Sequence, residues 1–219
     1  MKEEVKLKAA LFDLDGVVFD TEPQYTIFWG KQCLEFHPDV HGLEKRIKGQ
    51  TLVKIFSEYF SGPLETVRPT IMERLYQFER TMSFDYLNGF VNLVEDLKFN
   101  KVHTAVVTSS NKAKMNSVYS AHPEFTQLFD IILTSEDFTE SKPHPECYLK
   151  AASLLNVTTE ECLVFEDSFN GLHSGKAAGM KVVGVASTTS VSSIAPYSDL
   201  VVEDYNDLCF DTCNRILKH

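Results

Sequence analysis

The chain has 219 residues, of which 43% are hydrophobic and 24% are charged, the composition of an ordinary globular protein that can bury a sizeable core. Its formal net charge of −10 argues against a broad basic surface for nucleic acid, and no apolar run approaches the roughly 20 residues that a membrane-spanning helix needs. The charged amino terminus lacks the apolar core of a signal peptide, and the five cysteines include no Cys-x-x-Cys pair. We therefore expect a cytoplasmic protein with neither a disulfide framework nor a zinc site.

The first predicted strand is short and apolar, and two carboxylates follow it at once. Residues 9–12 read Ala-Ala-Leu-Phe, which is typical of a strand buried on both faces of a parallel sheet. Asp13 and Asp15 come next, and Gly16 permits a tight turn after them. Because unpaired buried charge is very unfavourable, two carboxylates here favour a bound cation or a shared proton. Taken alone, the segment would be interpreted as a simple turn, so its meaning depends on the later strand ends.

A purely helical segment is predicted from about residue 22 to residue 86. Apolar and aromatic side chains recur there at helical spacing in two stretches: Tyr25, Phe28, Trp29, Cys33 and Phe36, and then Ile71, Leu75, Phe78 and Met82. A segment of roughly 65 residues is small for an independent domain. We interpret residues 21–87 as an insertion into a larger core made of residues 1–20 and 88–219.

Strands and helices alternate from residue 88 onward, which predicts a doubly wound α/β fold with a parallel sheet. Strands are predicted at residues 102–107, 131–133, 162–165, 181–185 and 200–202. Helices are predicted at residues 112–119, 145–155, 170–178 and 206–217. Gly179 should end the third of these helices, and the last should carry Cys209 and Cys213 on one face because they are four residues apart.

Polar side chains follow the predicted strands, whose carboxyl ends share one ligand-binding edge of a parallel sheet. Thr108 and Ser109 stand at a helix start, where hydroxyls and free backbone N–H groups suit a phosphate oxygen. The alternative is that Ser109 or Ser110 only caps the helix. Lys142 lies in a stiff, proline-rich segment that can aim its ammonium group, although a solvated loop lysine is the simpler interpretation of that segment alone.

Glu166 and Asp167 bring the number of carboxylates at this edge to four, with Asp13 and Asp15. Oxygen ligands without a histidine or cysteine cluster favour a hard cation, Mg²⁺ above all. Magnesium together with an ammonium group and N–H donors suits a phosphoryl group, whose charge lies on its equatorial oxygens during transfer.

In combination, these segments resemble the haloacid dehalogenase superfamily, in its branch of phosphatases and beta-phosphoglucomutase-like enzymes. The matching motifs occur in the family's order and spacing: Asp13-Leu14-Asp15-Gly16-Val17-Val18, Asp20-Thr21-Glu22-Pro23, Thr108-Ser109-Ser110, Lys142-Pro143, and Phe165-Glu166-Asp167-Ser168 with Gly171. The resemblance implies a Rossmann-like core, and it implies that the helical insertion is the family's cap domain.

The resemblance also implies a chemistry in which Asp13 attacks phosphorus and becomes an aspartyl phosphate. Asp15 would protonate the leaving oxygen and later deprotonate the attacking water. The ligands of Mg²⁺ would be Asp13, the backbone carbonyl of Asp15, and Asp167, with Glu166 close by. Three side chains would hold the transferred phosphate: Thr108, Ser109 and Lys142.

The implied partner is a small phosphorylated substrate, and a magnesium-dependent phosphatase of small metabolites such as sugar phosphates is the first interpretation. Trp29, Tyr25 and Lys48 are candidates for contact with the substrate, with core packing or a solvated surface as the alternative. Beta-phosphoglucomutase is the second interpretation, but its pattern has a histidine where this chain has Tyr25. It also has an arginine after a Lys-Gly pair, which is absent after Lys48-Gly49.

Two non-enzymatic alternatives rank below these. One is a phosphate-binding or regulatory module, and the other is a doubly wound domain whose polar strand ends are accidental. We expect a monomer.

Overall fold

The computed structural model describes residues 6–187 and 189–218, and its centre is a six-stranded parallel sheet in the order β3-β2-β1-β4-β5-β6. The strands are β1 (Ala9–Phe12), β2 (His103–Val107), β3 (Ile131–Leu133), β4 (Cys162–Glu166), β5 (Lys181–Val185) and β6 (Leu200–Val202). The predicted α/β fold with a parallel sheet is confirmed.

Strand β1 lies at the centre of the sheet and is fully buried, as its unbroken apolar sequence requires. In register, Phe12 lies beside Val106 of β2 and Phe165 of β4. The carboxyl ends of these three strands are therefore level, and the residues that follow them meet at one edge.

Helices cover both faces of the sheet. They are α5 (Phe90–Phe99), α6 (Lys112–Ala121), α7 (Glu146–Leu154), α8 (Phe169–Ala177), α9 (Val191–Ile194) and α10 (Phe210–Ile216). Alternate residues of β1 point to opposite faces of the sheet. Ala10 and Phe12 pack in the apolar cluster that includes α5. Ala9 and Leu11 pack in the cluster that includes α7.

Four helices precede α5: α1 (Glu22–Phe36), α2 (Leu43–Ile47), α3 (Leu52–Tyr59) and α4 (Arg68–Glu79), with a 3-10 turn at Gly62–Val67. They pack around an apolar cluster of their own, which contains Phe28, Trp29, Ile55, Phe60 and Ile71. The two chain connections between these helices and the sheet run side by side, since the backbone N–H of Leu87 donates to the carbonyl of Val18 at 3.0 Å. The division into domains at residues 20/21 and 87/88 stays a prediction.

The last helix differs from its prediction, because it begins at Phe210 instead of Asn206. Asp204 accepts the backbone N–H of Asn206 at 3.0 Å and holds a turn there, while Asp96 of α5 accepts the N–H of Phe210 at 2.6 Å. Cys209 therefore precedes the helix and is exposed, whereas Cys213 is buried inside it. The predicted shared face of the two cysteines is wrong.

Within residues 6–187 and 189–218, every helix falls short of the length and apolar character that crossing a bilayer requires.

Candidate active site

Three carboxylates converge at the sheet edge where β1 and β4 end. Oxygen atoms of Asp13, Glu166 and Asp167 lie within 4.8 Å of one another, and all three residues are buried. Asp13 follows β1 directly, and its backbone N–H donates to the carbonyl of Phe165 at 3.0 Å, which ties the two strand ends together. The parallel topology predicted that these residues would be grouped, and the structure brings them together.

Lys142 reaches the same point from the loop before α7 and is fully buried. Its Nζ lies 2.6 Å from Oδ1 of Asp13, 2.6 Å from Oε1 of Glu166 and 3.0 Å from the carbonyl oxygen of Val107. Burial alone would lower the pKa of Lys142, but the carboxylates of Asp13 and Glu166 raise it above its ordinary value. Lys142 is therefore an ammonium ion whose three donors all have acceptors.

Glu166 is held by groups on every side. Its Oε1 also accepts the hydroxyl of Tyr148 at 2.7 Å, and its Oε2 accepts the hydroxyl of Ser168 at 3.2 Å. The backbone of α8 touches this carboxylate, because a Cβ placed on Gly171 would lie 1.8 Å from Cδ of Glu166. Glycine at position 171 is thus required for the approach of α8.

Asp15 lies two residues beyond Asp13, and its carboxylate is bound by three side chains. It accepts hydrogen bonds from Oγ1 of Thr21 at 2.5 Å and from Oγ of Ser110 at 3.0 Å, and Nζ of Lys114 contacts both of its oxygens. Lys114, which is 2% exposed, was not among the predicted site residues. The available signal was a lysine in the first turn of α6, where the helix dipole disfavours a cation.

Thr108 and Ser109 lie at the end of β2, next to Asp13 and Asp15 in the same cleft. Oγ1 of Thr108 accepts the backbone N–H of Ser110 at 3.0 Å, and the hydroxyl of Ser109 donates to the carbonyl of Gly49 in the helical segment at 3.0 Å. The cap of α6 is Asn111, whose side chain accepts the backbone N–H of Lys114 at 2.9 Å. The alternative in which a serine caps this helix is wrong.

The opposite wall of the cleft comes from the helical segment. Tyr25, Trp29 and Lys48, the three candidates for substrate contact, all line it. Trp29 also packs in the apolar cluster of the helices and is 7% exposed. Lys48 forms an ion pair with Glu22 at 2.7 Å. The structure thus brings these three residues to the cleft. Lys142 and Glu166 are buried behind Asp13, since Lys142 contacts both Asp13 and Glu166 while Asp13 lines the cleft.

Comparison with known proteins identifies the family. The sequence profile described as haloacid dehalogenase-like hydrolase matches residues 10–185, most of the chain. The chain belongs to this family. The resemblance carried by the motifs is confirmed, and the protein is an enzyme of the hydrolase class.

Relatives of this haloacid dehalogenase-like hydrolase include proteins named as phosphatases. The bifunctional riboflavin kinase/FMN phosphatase of Arabidopsis thaliana is 31% identical over 209 residues, which are 93% of this chain but only 53% of that protein, so the chain spans about half of its length. A Saccharomyces cerevisiae protein named probable pseudouridine-5'-phosphatase is 31% identical over 200 residues, 84% of this chain and 85% of that protein. A crystal structure of beta-phosphoglucomutase from Clostridium difficile superposes with a TM-score of 0.78 at 26% identity, over 96% of this chain and 97% of that one.

The buried carboxylates of Asp13 and Asp167 in this hydrolase favour the binding of a cation. Burial, opposed by Lys142, raises the pKa of Asp13 from 3.8 to about 7. Burial and the neighbouring carboxylates of Glu22 and Glu166 raise the pKa of Asp167 well above its ordinary value. Ionising both groups in this crowded, low-dielectric site is costly without further positive charge. An all-oxygen donor set with this surplus of negative charge fits a hard divalent ion.

Gly16 allows the chain to turn tightly around Asp167. Its φ is +74°, and a Cβ there would lie 2.4 Å from Oδ2 of Asp167. A side chain at position 16 would be strained and would also collide with the carboxylate. The tight turn that was expected after Asp13 and Asp15 therefore makes room for the carboxylate of Asp167.

Proposed function

We propose that this haloacid dehalogenase-like hydrolase is a magnesium-dependent phosphatase of small phosphorylated metabolites, sugar phosphates among them, that works through an aspartyl phosphate on Asp13. The observation that carries the proposal is the buried contact of Asp13 with Lys142, beside Asp167 and at the floor of a cleft. The phosphatase names of relatives at 31% identity support the same reaction class.

Asp13 and Asp167 are the side chains that would hold Mg²⁺, together with the backbone carbonyl of Asp15. Glu166 is close by, but its oxygens already accept hydrogen bonds from Lys142, Tyr148 and Ser168. When bound, the ion supplies positive charge that offsets the repulsion between a carboxylate nucleophile and a phosphate dianion.

In the first half-reaction, a carboxylate oxygen of Asp13 forms a bond to phosphorus while the bond from phosphorus to the leaving oxygen breaks. Lys142 holds Asp13 in place and offsets part of the developing charge with its ammonium group. Asp15, in its protonated form, gives its proton to the leaving oxygen, which departs as an alcohol.

In the second half-reaction, Asp15 takes a proton from a water molecule that attacks the phosphorus. The phosphorus–oxygen bond to Asp13 breaks, and free phosphate and the Asp13 carboxylate are released. Thr108 and Ser109 are proposed to hold the transferred phosphoryl oxygens, which suits hydroxyls at a strand end that precedes a helix. Lys142 is the third predicted phosphate-binding residue, but its donors bind Asp13, Glu166 and the carbonyl of Val107, so we propose that it acts through Asp13 instead.

The helical segment of residues 21–87 is proposed to act as a cap that closes over the cleft and controls the access of water. Its hinges are proposed at residues 19–21 and 86–89, where Phe19 and Tyr86 form a single antiparallel bridge. The contact between Ser109 and the carbonyl of Gly49 is one point at which the cap meets the sheet edge. A cytoplasmic location and a monomeric state remain predictions.

A beta-phosphoglucomutase activity is the second candidate, favoured by the structural likeness to the Clostridium difficile enzyme. One experiment separates the two: phosphate release from a panel of sugar phosphates is measured with Mg²⁺ and with EDTA, beside conversion of beta-glucose 1-phosphate to glucose 6-phosphate. Free phosphate that appears only with Mg²⁺ supports the phosphatase. Isomerised sugar without free phosphate contradicts it and supports the mutase, and tight binding without either product supports a non-catalytic module.

A further inference from the structure

The cleft is strongly acidic beyond the phosphate position. Its lining includes six carboxylates: Asp13, Asp15, Glu22, Glu44, Glu79 and Asp167. Among the described residues that line it, Lys48 is the single lysine or arginine, and Lys48 is already paired with Glu22 at 2.7 Å. Lys45 and Arg46, its neighbours in sequence, are exposed. The cleft therefore offers no free cationic side chain among the described residues to bind a second phosphate.

Glu79, at the end of α4, is the most unusual of these acids. It is 6% exposed, and its Oε1 accepts the hydroxyl of Tyr25 at 2.8 Å. Its Oε2 is buried and has no hydrogen-bond partner in the described part of the chain. A buried carboxylate oxygen that lacks a donor is unfavourable in the free protein, so a ligand that supplies a donor gains by binding there.

The position of Glu79 relative to Asp15 says which part of a substrate it would meet. Lys114 binds the carboxylate of Asp15, and its Nζ lies 4.4 Å from the ring centre of Tyr25, whose hydroxyl holds Glu79. Asp15 is the group proposed to protonate the leaving oxygen. Through Tyr25 and Lys114, Glu79 is thus connected to the group that is proposed to act on the leaving alcohol.

We propose that Glu79 is a specificity-determining residue that selects phosphomonoesters whose leaving group is uncharged and rich in hydroxyl or N–H donors. A donor on the leaving group satisfies Oε2 of Glu79, whereas a second phosphate meets a carboxylate and no free cation. This inference rests on the proposed phosphatase function and narrows its substrate class.

The test compares kcat/KM for matched substrates in the presence of Mg²⁺. The pairs are fructose 6-phosphate with fructose 1,6-bisphosphate, and a nucleoside 5′-phosphate with its 3′,5′-bisphosphate, and p-nitrophenyl phosphate serves as a donor-free ester. Of the two monophosphates, the one with the higher kcat/KM is compared with its own bisphosphate. We expect the wild-type kcat/KM for that monophosphate to exceed the value for the bisphosphate by about tenfold or more. Glu79→Gln should reduce that preference by about tenfold, because it removes the charge and turns one acceptor into a donor.

Glu73→Gln is the matched control, since it removes the same charge from an exposed position of the same helix. It should leave the monophosphate preference at the wild-type value. If Glu79→Gln does not fold, as judged by its thermal melting, Tyr25→Phe takes its place, because it removes the hydroxyl that holds Oε1 of Glu79.

The outcomes separate the two proposals. Failure of the wild-type protein to hydrolyse any of these esters with Mg²⁺ overturns the phosphatase function and this inference with it. Hydrolysis of p-nitrophenyl phosphate without a preference for donor-rich monophosphates overturns this inference alone. Equal preferences in Glu79→Gln and Glu73→Gln also overturn it, whereas a loss confined to the cleft variant supports it.

Discussion

Lys142 is the residue on which the buried acidic cluster depends most. It is fully buried and joins Asp13 to Glu166 at 2.6 Å each. Replacing it by Met keeps most of the side-chain volume but leaves the buried carboxylates of Asp13 and Glu166 without their counter-ion. We predict that Lys142→Met lowers the free energy of unfolding by about 3–5 kcal/mol, measured by urea denaturation without metal.

Lys45→Met is the control for that substitution, since it removes the same charge from an exposed position. Its effect should stay within about 0.5 kcal/mol. A Lys142→Met protein that is as stable as this control would show that the buried ion pairs contribute nothing to the fold.

Two glycines on different helices, Gly171 of α8 and Gly30 of α1, differ in the space around them. Gly171 lies where α8 touches Glu166, and an added Cβ would collide with the carboxylate at 1.8–2.0 Å, whereas Gly30 of α1 has nothing within 4 Å of that position. Gly171→Ala should destabilise the protein by about 3 kcal/mol, because neither the helix nor the buried carboxylate can move freely. Gly30→Ala should stabilise it by about 0.5–1 kcal/mol, because alanine favours the helix. Thermal melting of both variants checks this, and similar shifts in the two would contradict the close approach of α8.

The strands and most of the helices could be predicted from local sequence patterns. The site residues at the strand ends could then be predicted from the positions of those strands. Asp13 and Glu166 could be grouped in advance because parallel strands end at one edge. The start of α10 could not be predicted, since it depends on Asp96 of the distant α5. Lys114 and Glu79 were missed for the same reason: their partners, Asp15 and Tyr25, lie on other elements and at large sequence separation.

At the scale of the whole molecule, the acidic cluster links metal binding to pH. The folded protein raises the pKa of Asp13 from 3.8 to about 7, so Asp13 binds its proton more tightly when folded than when unfolded. The stability that this group contributes is full below about pH 4 and is lost as the pH rises through about 7 in the metal-free protein. A divalent ion needs the ionised carboxylates, so it should restore stability most strongly where the proton is absent.

We therefore predict that Mg²⁺ raises the melting temperature more at about pH 8 than at about pH 6, each compared with EDTA at the same pH. Asp167, whose pKa is also raised by burial, acts in the same direction. An equal or smaller gain at the higher pH would contradict a metal site built from these carboxylates.

Phosphate release by Asp13→Asn tests directly whether Asp13 is the nucleophile of a phosphatase. The substitution keeps the shape of the side chain but removes the attacking carboxylate, so we predict that steady-state release with Mg²⁺ falls by at least about a thousandfold while the protein stays folded. Asp39→Asn, an exposed position between α1 and α2, should keep wild-type activity. Turnover by a folded Asp13→Asn protein at a rate close to that of Asp39→Asn would show that Asp13 is not the nucleophile.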